Sequence, residues 1–441
     1  MTTNKKLVRP IIFSMFFLAG AGYFVFHFGF TNACALKIFL LSLLVYCLYR
    51  GKVEGNWTNP YYLFALTPIS LLIYSAEIST EYMVPLKEGT IFIASINMAT
   101  FLIALGGSKK LGSGNVEKDI TIDRNKFKSH AVILLLISLI PTFFKAFIGT
   151  EMPFGSVIAL FYFPAIAFAV STKSGRFILF FLCVVLLRLF QGFDKTGLLF
   201  IFVTVIVSVE KYFSWKGRSK KRFLLGLLAA IIGFLLLFEL RDYLRDGRSV
   251  LSYFSGGRSS YSNTEYYAEN NVIDWIGPRS LMLPYMYLTT PWTNFQFVME
   301  TQNIRTFGLW FFKPLLGYLM LDSRFANYYV LNPYSSFNTF TYISVLFKDF
   351  GYWGSCLGSL MLGFFVRKVY QAFKKTKSPF YVACYALTAC AVFEMFFSNH
   401  FLSQSYPFTI LLLMVLYNKS LKMLSVKYQR MPLRIDKQEE A

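Results

Sequence analysis

The chain has 441 residues, 55% of them hydrophobic, 19% aromatic and only 15% charged. Soluble domains carry roughly a quarter charged residues, so this composition excludes an ordinary soluble domain and points to an all-α polytopic integral membrane protein. The formal net charge of +21 falls mostly in short loops between apolar runs, where it reads as positive-inside topology and not as a nucleic-acid interface.

At the N-terminus, Lys5, Lys6 and Arg9 precede an apolar run over 10–30. Ala33-Cys34-Ala35 imitates a leader cleavage site, but the many apolar runs that follow favour an uncleaved first helix. Counting runs long enough for a bilayer gives about twelve spans. They lie at 10–30, 33–49, 60–77, 85–106, 130–149, 153–172, 177–192, 197–210, 222–240, 340–364, 379–398 and 404–420. Each even-numbered return lands on basic residues: Arg50 and Lys52, Lys109 to Lys128, Lys173 and Arg176, Lys211 to Arg222, Arg367 to Lys377, and Lys419 onward. That parity predicts a multi-pass protein with both termini cytoplasmic. The expected organisation is nine spans over 1–240, one large outer loop with short amphipathic helices over 241–339, three spans over 340–421, and a cytoplasmic tail over 422–441.

The six cysteines have no metal or disulfide spacing, and all six read as small buried hydrophobes. His27, His130 and His400 are too scattered for a metal cluster, so neither a metal nor a cofactor is expected.

Charges at membrane depth are costly and mark sites or snorkelling side chains. Arg188, in the run over 177–192, is open to either reading. The hairpin Gln191-Gly192-Phe193-Asp194-Lys195 carries a cation, Lys195, that Asp194 can also neutralise. After the ninth run, Arg241, Arg245 and Arg248 fall at i, i+4 and i+7 on one helical face. Three guanidinium forks there suit a diphosphate; anchoring to anionic headgroups or pairing with Asp242 and Asp246 is the alternative. Gly256-Gly257-Arg258 and Gly277-Pro278-Arg279 each set an arginine after turn residues, where backbone N–H groups also favour an anion. Farther on, the spacing of Asn338, Tyr342, Val345 and Asp349 predicts one helical face at the outer mouth of the span over 340–364. Glu394, with His400 beyond it, sits at the outer end of the span over 379–398.

The stretch from Asn338 through Asp349-Phe350-Gly351 to Gly354, Gly358 and Gly363 resembles the oligosaccharide repeat-unit polymerases of the Wzy type, which build O-antigen and capsule polysaccharides. The match covers under a tenth of the chain. Related O-antigen ligases carry His directly before the matching Asn; Phe337 stands there in this chain. The resemblance implies a GT-C-like architecture and a metal-independent glycosyltransferase of the bacterial inner membrane. Its substrate would be an oligosaccharide linked to undecaprenyl diphosphate, joined on the periplasmic face, with a chain-length regulator as a further candidate partner. On that reading Arg188, Lys195, Arg241, Arg245, Arg248, Arg258, Arg279, Asn338 and Tyr342 bind substrate. Asp349 is the first candidate to accept the proton of the attacking hydroxyl, with Glu394 and His400 behind it. A flippase for the same lipid-linked oligosaccharide, or a ligase, is the alternative.

Overall fold

The structure, a computed structural model, describes residues 32–76, 86–106, 124–149, 152, 154–192, 195–213, 279–301, 305–310, 339–376, 378–398, 401, 406, 409–413 and 415–416. No β-strand occurs among them. The helices are α1 (Asn32–Glu54), α2 (Pro60–Phe64), α3 (Leu66–Ser75), α4 (Glu88–Gly106), α5 (Arg124–Ile148), α6 (Gly155–Ala159), α7 (Tyr162–Ser171), α8 (Gly175–Gly192), α9 (Lys195–Tyr212), α10 (Arg279–Thr301), α11 (Tyr342–Lys375) and α12 (Pro379–Phe393). The spans expected over 10–30 and 222–240 lie outside the described residues.

Three helices, over Cys34–Glu54, Glu88–Gly106 and Asn125–Ile148, are long and apolar enough to cross a membrane. Their exposed faces say the same. Along α1, Ile38, Leu41, Val45 and Leu48 are exposed while Leu36, Leu40, Leu43 and Cys47 are buried. Both stripes are apolar, at a helical period, so the outer one faces a solvent in which leucine is at home. On α5, Val132, Leu136, Ile140 and Phe143 form a second such stripe. Cys47, Cys384 and Cys390 are buried as expected, but Cys34 is exposed and Cys356 half-buried. Exposure to an apolar surround costs a thiol little, so composition did not separate them.

Two cores organise the fold. One joins α7, buried from end to end, to α5, α8, α9, α12 and the last turns of α11. The other joins α1 to α4, α10, the first part of α11 and residues 391–401. Both α11 and α12 run through both cores. The α10 helix falls within the segment expected to be a loop with short helices, yet it has 23 residues and buries Trp292, Phe295 and Val298. Several of its polar residues are buried with them and are satisfied by neighbours. Trp292 Nε1 donates to Ser70 Oγ at 2.9 Å, Tyr74 and Thr293 share a hydrogen bond of 2.8 Å, and Gln296 Oε1 accepts from the Lys87 N–H at 2.8 Å.

The span expected as one helix over 340–364 is broken. Gly351 has φ 67° and ψ −156°, a left-handed backbone that few residues other than glycine adopt. In a straight helix, residues 346 and 358 would be about 18 Å apart. Here a Cβ added at Gly358 would lie 2.8 Å from Leu346 Cδ2, so the arm 342–350 doubles back along the arm after Gly351. The helix starts at Tyr342, after an extended Thr341 (φ −61°, ψ 158°). The helical face expected to join Asn338 to Tyr342 therefore does not extend back past Thr341, and Asn338 itself lies outside the described residues.

The arm after Gly351 packs most extensively on α4. Ser355, Ser359 and Gly363 repeat every fourth residue and face it, the small-residue spacing that lets helix backbones approach in membranes. Asn97 of α4 locks the pair. Its Nδ2 donates to Ser355 Oγ at 3.2 Å, and its Oδ1 accepts from Ser359 Oγ at 2.8 Å.

Candidate functional site

The elbow at Gly351 is the best-defined polar feature near the resembling motif. A helix that stops at residue 350 leaves its last carbonyls without partners along the chain. The segment 305–310 supplies them. The Arg305 guanidinium donates to the Phe347 carbonyl at 3.1 Å, the Thr306 N–H to the Lys348 carbonyl at 3.2 Å, and the Phe307 N–H to the Asp349 carbonyl at 3.0 Å. Phe307 and Gly308 hold left-handed backbones that make this turn.

Asp349 is fully buried, and its Oδ1 accepts from the Thr306 hydroxyl and from the Trp310 N–H, the latter at 3.0 Å. Its carboxylate thus receives the turn that closes the arm. These two hydrogen bonds give the carboxylate the role of an anchor for the turn. Around it, Phe307, Phe350, Tyr352 and Trp353 are exposed, while Phe347 packs edge-on against Tyr352.

The other end of the arm is deep in the second core. Tyr342 is fully buried beside Phe64 and Phe101, with ring centroids 6.5 and 6.4 Å away. Its N–H donates to the Met395 carbonyl at 3.0 Å. The Thr341 and Ser344 hydroxyls share a hydrogen bond of 3.0 Å, and Asn294 Nδ2 donates to the Thr339 carbonyl at 2.7 Å. Glu394, only 5% exposed, ends α12 one residue before Met395.

Tyr342 therefore meets the chain one residue beyond Glu394, while Asp349 sits at the far end of the arm, about 10 Å along its axis. Arg188 and Lys195 lie on α8 and α9, and Arg279 opens α10; the side chains of these three are not among those described. Arg241, Arg245, Arg248, Arg258, Asn338 and His400 lie outside the described residues. Two cations not singled out in the sequence, Arg305 and Lys348, stand at the elbow. Their only sequence signal was Lys348 beside Asp349. Among the described residues, no three His, Cys, Asp or Glu side chains cluster as metal ligands do.

The polar contacts sort by end. At one end, Lys87 Nζ pairs with Glu300 at 3.2 Å, close in sequence to the 305–310 turn that meets residues 347–349. At the other, Lys374 pairs with Glu54, and Lys211 Nζ donates to the Lys374 carbonyl at 3.2 Å. Glu210 there accepts from the Trp57 and Thr58 N–H groups at 2.6 and 3.0 Å.

No protein-family model, curated protein or solved structure matches the chain.

Proposed function

We propose that the chain is a multi-pass glycosyltransferase of the bacterial inner membrane that polymerises lipid-linked oligosaccharide repeat units on the periplasmic face. One observation carries the reading. Asp349-Phe350-Gly351, the core of the resembling motif, forms a re-entrant elbow, the kind of non-helical backbone that membranes tolerate only inside protein or around a cavity. About twelve spans with both termini cytoplasmic complete the proposal. The sorting of polar contacts supports it: Glu54, Lys211 and Lys374, near the basic returns, cluster at one end, while Lys87 and Glu300 meet at the other. Labelling is expected to find Glu300→Cys reactive only from outside and Lys375→Cys only from inside. Same-side reactivity would discard the topology.

In the reaction, the C1–O bond to undecaprenyl diphosphate breaks and a C1–O bond to a hydroxyl of the incoming repeat unit forms. The hydroxyl proton passes to a carboxylate, and the diphosphate leaves as an anion. Arg241, Arg245, Arg248, Arg258 and Arg279, with Arg188 and Lys195, are the cations proposed for the leaving group. For the proton, Glu394 replaces Asp349 as first choice, since Asp349 is committed to Thr306 and Trp310; His400, Asn338 and Tyr342 complete the proposed site. A chain-length regulator remains a proposed partner.

A half-helix whose N-terminus is buried also favours a second reading, a flippase for the same lipid, because transporters build sites from broken helices. Purified protein with lipid-linked repeat units separates the two. Chains longer than one unit are expected. Single units moved across liposomes without chain growth would replace the polymerase with the flippase.

A further inference from the structure

The geometry points to a binding site for a lipid-borne phosphate at the elbow, formed by Arg305 and Lys348 and independent of whether glycosyl transfer occurs there. Lys348 is 7% exposed, so its stem is buried, and its ammonium makes no hydrogen bond or ion pair with any described residue. Arg305 stacks on the Phe347 ring at 4.4 Å and gives one N–H to the Phe347 carbonyl, while its Nε lies 3.5 Å from where a Cβ on Gly351 would be. Lys348 follows Phe347 in the chain, so two cations share this end of the arm and repel, and burial of the lysine stem adds to the cost. The adjacent acid, Asp349, directs its carboxylate to Thr306 and Trp310 instead. The carbonyl end of the arm favours cations, but an anion is what would complete the pair. A phosphate offers several oxygens to a guanidinium fork and an ammonium together.

The surroundings say that this phosphate comes with a tail. Phe307 is 85% and Trp353 90% exposed, and with the exposed Phe350 and Tyr352 they lie within five residues of the two cations in the chain. Exposed aromatics beside cations are the signature of the headgroup level. From Trp353 an exposed apolar stripe continues through Leu357, Met361 and Phe364, on the side of α11 opposite Ser355, Ser359 and Gly363. A lipid whose phosphate met Arg305 and Lys348 would lay its chain along that stripe. Anionic phospholipid and polyprenyl diphosphate share this chemistry.

The test is native mass spectrometry of the full chain in detergent. Phosphatidylglycerol, undecaprenyl diphosphate, phosphatidylcholine or inorganic diphosphate is titrated in turn. Wild type is expected to hold one of the two anionic lipids at least about tenfold more tightly than phosphatidylcholine, and whichever is held identifies the source. Lys348→Gln should lose that preference, because its ammonium supports nothing else, and Arg305→Gln should lose it too. Lys348→Arg should restore it, and Lys87→Gln, a cation already paired with Glu300, should keep it. Thermal midpoints equal to wild type in the Lys348 variants exclude misfolding as the cause. Equal binding of the anionic lipids by wild type and Lys348→Gln overturns the site. Inorganic diphosphate binding as tightly as the lipids overturns the role of the tail.

Discussion

Replacing Gly363 with leucine is expected to abolish accumulation of folded protein, and even alanine should lower the thermal midpoint markedly. A Cβ there would press into the Phe101 carbonyl oxygen, far inside van der Waals distance, and lie 2.8 Å from Ala104 Cβ. A side chain can rotate out of such an overlap; a helix carbonyl cannot, so α4 and α11 must separate. Overpacking costs about 1–3 kcal/mol, and the rigidity of the neighbour puts Gly363→Ala near the top of that range. Separation also stretches the Asn97 bonds to Ser355 and Ser359, adding to the loss. Gly89→Ala is the control. Nothing lies within 4 Å of a Cβ there, and alanine is the better helix former. Size-exclusion profiles and thermal midpoints in detergent read both. A midpoint for Gly363→Ala within about 1 °C of wild type would mean that the α4–α11 contact does not limit stability.

Three glycines of α11, Gly351, Gly358 and Gly363, show where sequence reading stops. Their density in a long apolar run made a helix legible there, and helices α4 and α9 fall close to the runs at 85–106 and 197–210. Their separate roles were not legible, because each depends on a partner far away in the chain. Gly351 supplies a left-handed turn, Gly358 admits Leu346 from the returning arm, and Gly363 admits the backbone of α4. A period of 3.6 continues unbroken through Gly351 in the sequence, so Tyr342 and Asp349 looked like one outer face; the break puts Tyr342 deep and leaves Asp349 at the elbow. Likewise α10 was hidden by its own polarity. Thr289, Thr290, Thr293, Asn294 and Gln296 lower its hydropathy to that of a loop, yet all are buried. Of the candidate site residues, Glu394 was legible as a lone acid in an apolar run. Lys348 and Arg305 were not, since neither looks unusual until the turn 305–310 closes on the arm.

The role of Asp349 separates a chemical reading from an architectural one, and two variants decide between them. As an anchor, its carboxylate holds the Thr306 hydroxyl and the Trp310 N–H, and through them the turn that caps residues 347–349. Hydrogen bonds to a charged group contribute about 1.5–3 kcal/mol each, and a buried donor left without an acceptor costs a similar amount. Asp349→Ala is therefore expected to destabilise by about 3 kcal/mol or more, with loss of folded protein. Asp349→Asn, which keeps a carbonyl oxygen but no charge, should fall between that and wild type. Thr306→Val removes one of the same bonds from the opposite side and cannot touch a proton acceptor. It should lower the thermal midpoint as Asp349→Asn does, and under the proposed polymerase function chain growth per folded molecule should fall to a similar extent in both. A general base predicts a different pattern: Asp349→Asn with the wild-type midpoint and at least a roughly hundredfold loss of rate, while Thr306→Val polymerises normally. That second pattern would return Asp349 to the reacting hydroxyl and leave the turn over 305–310 as its support.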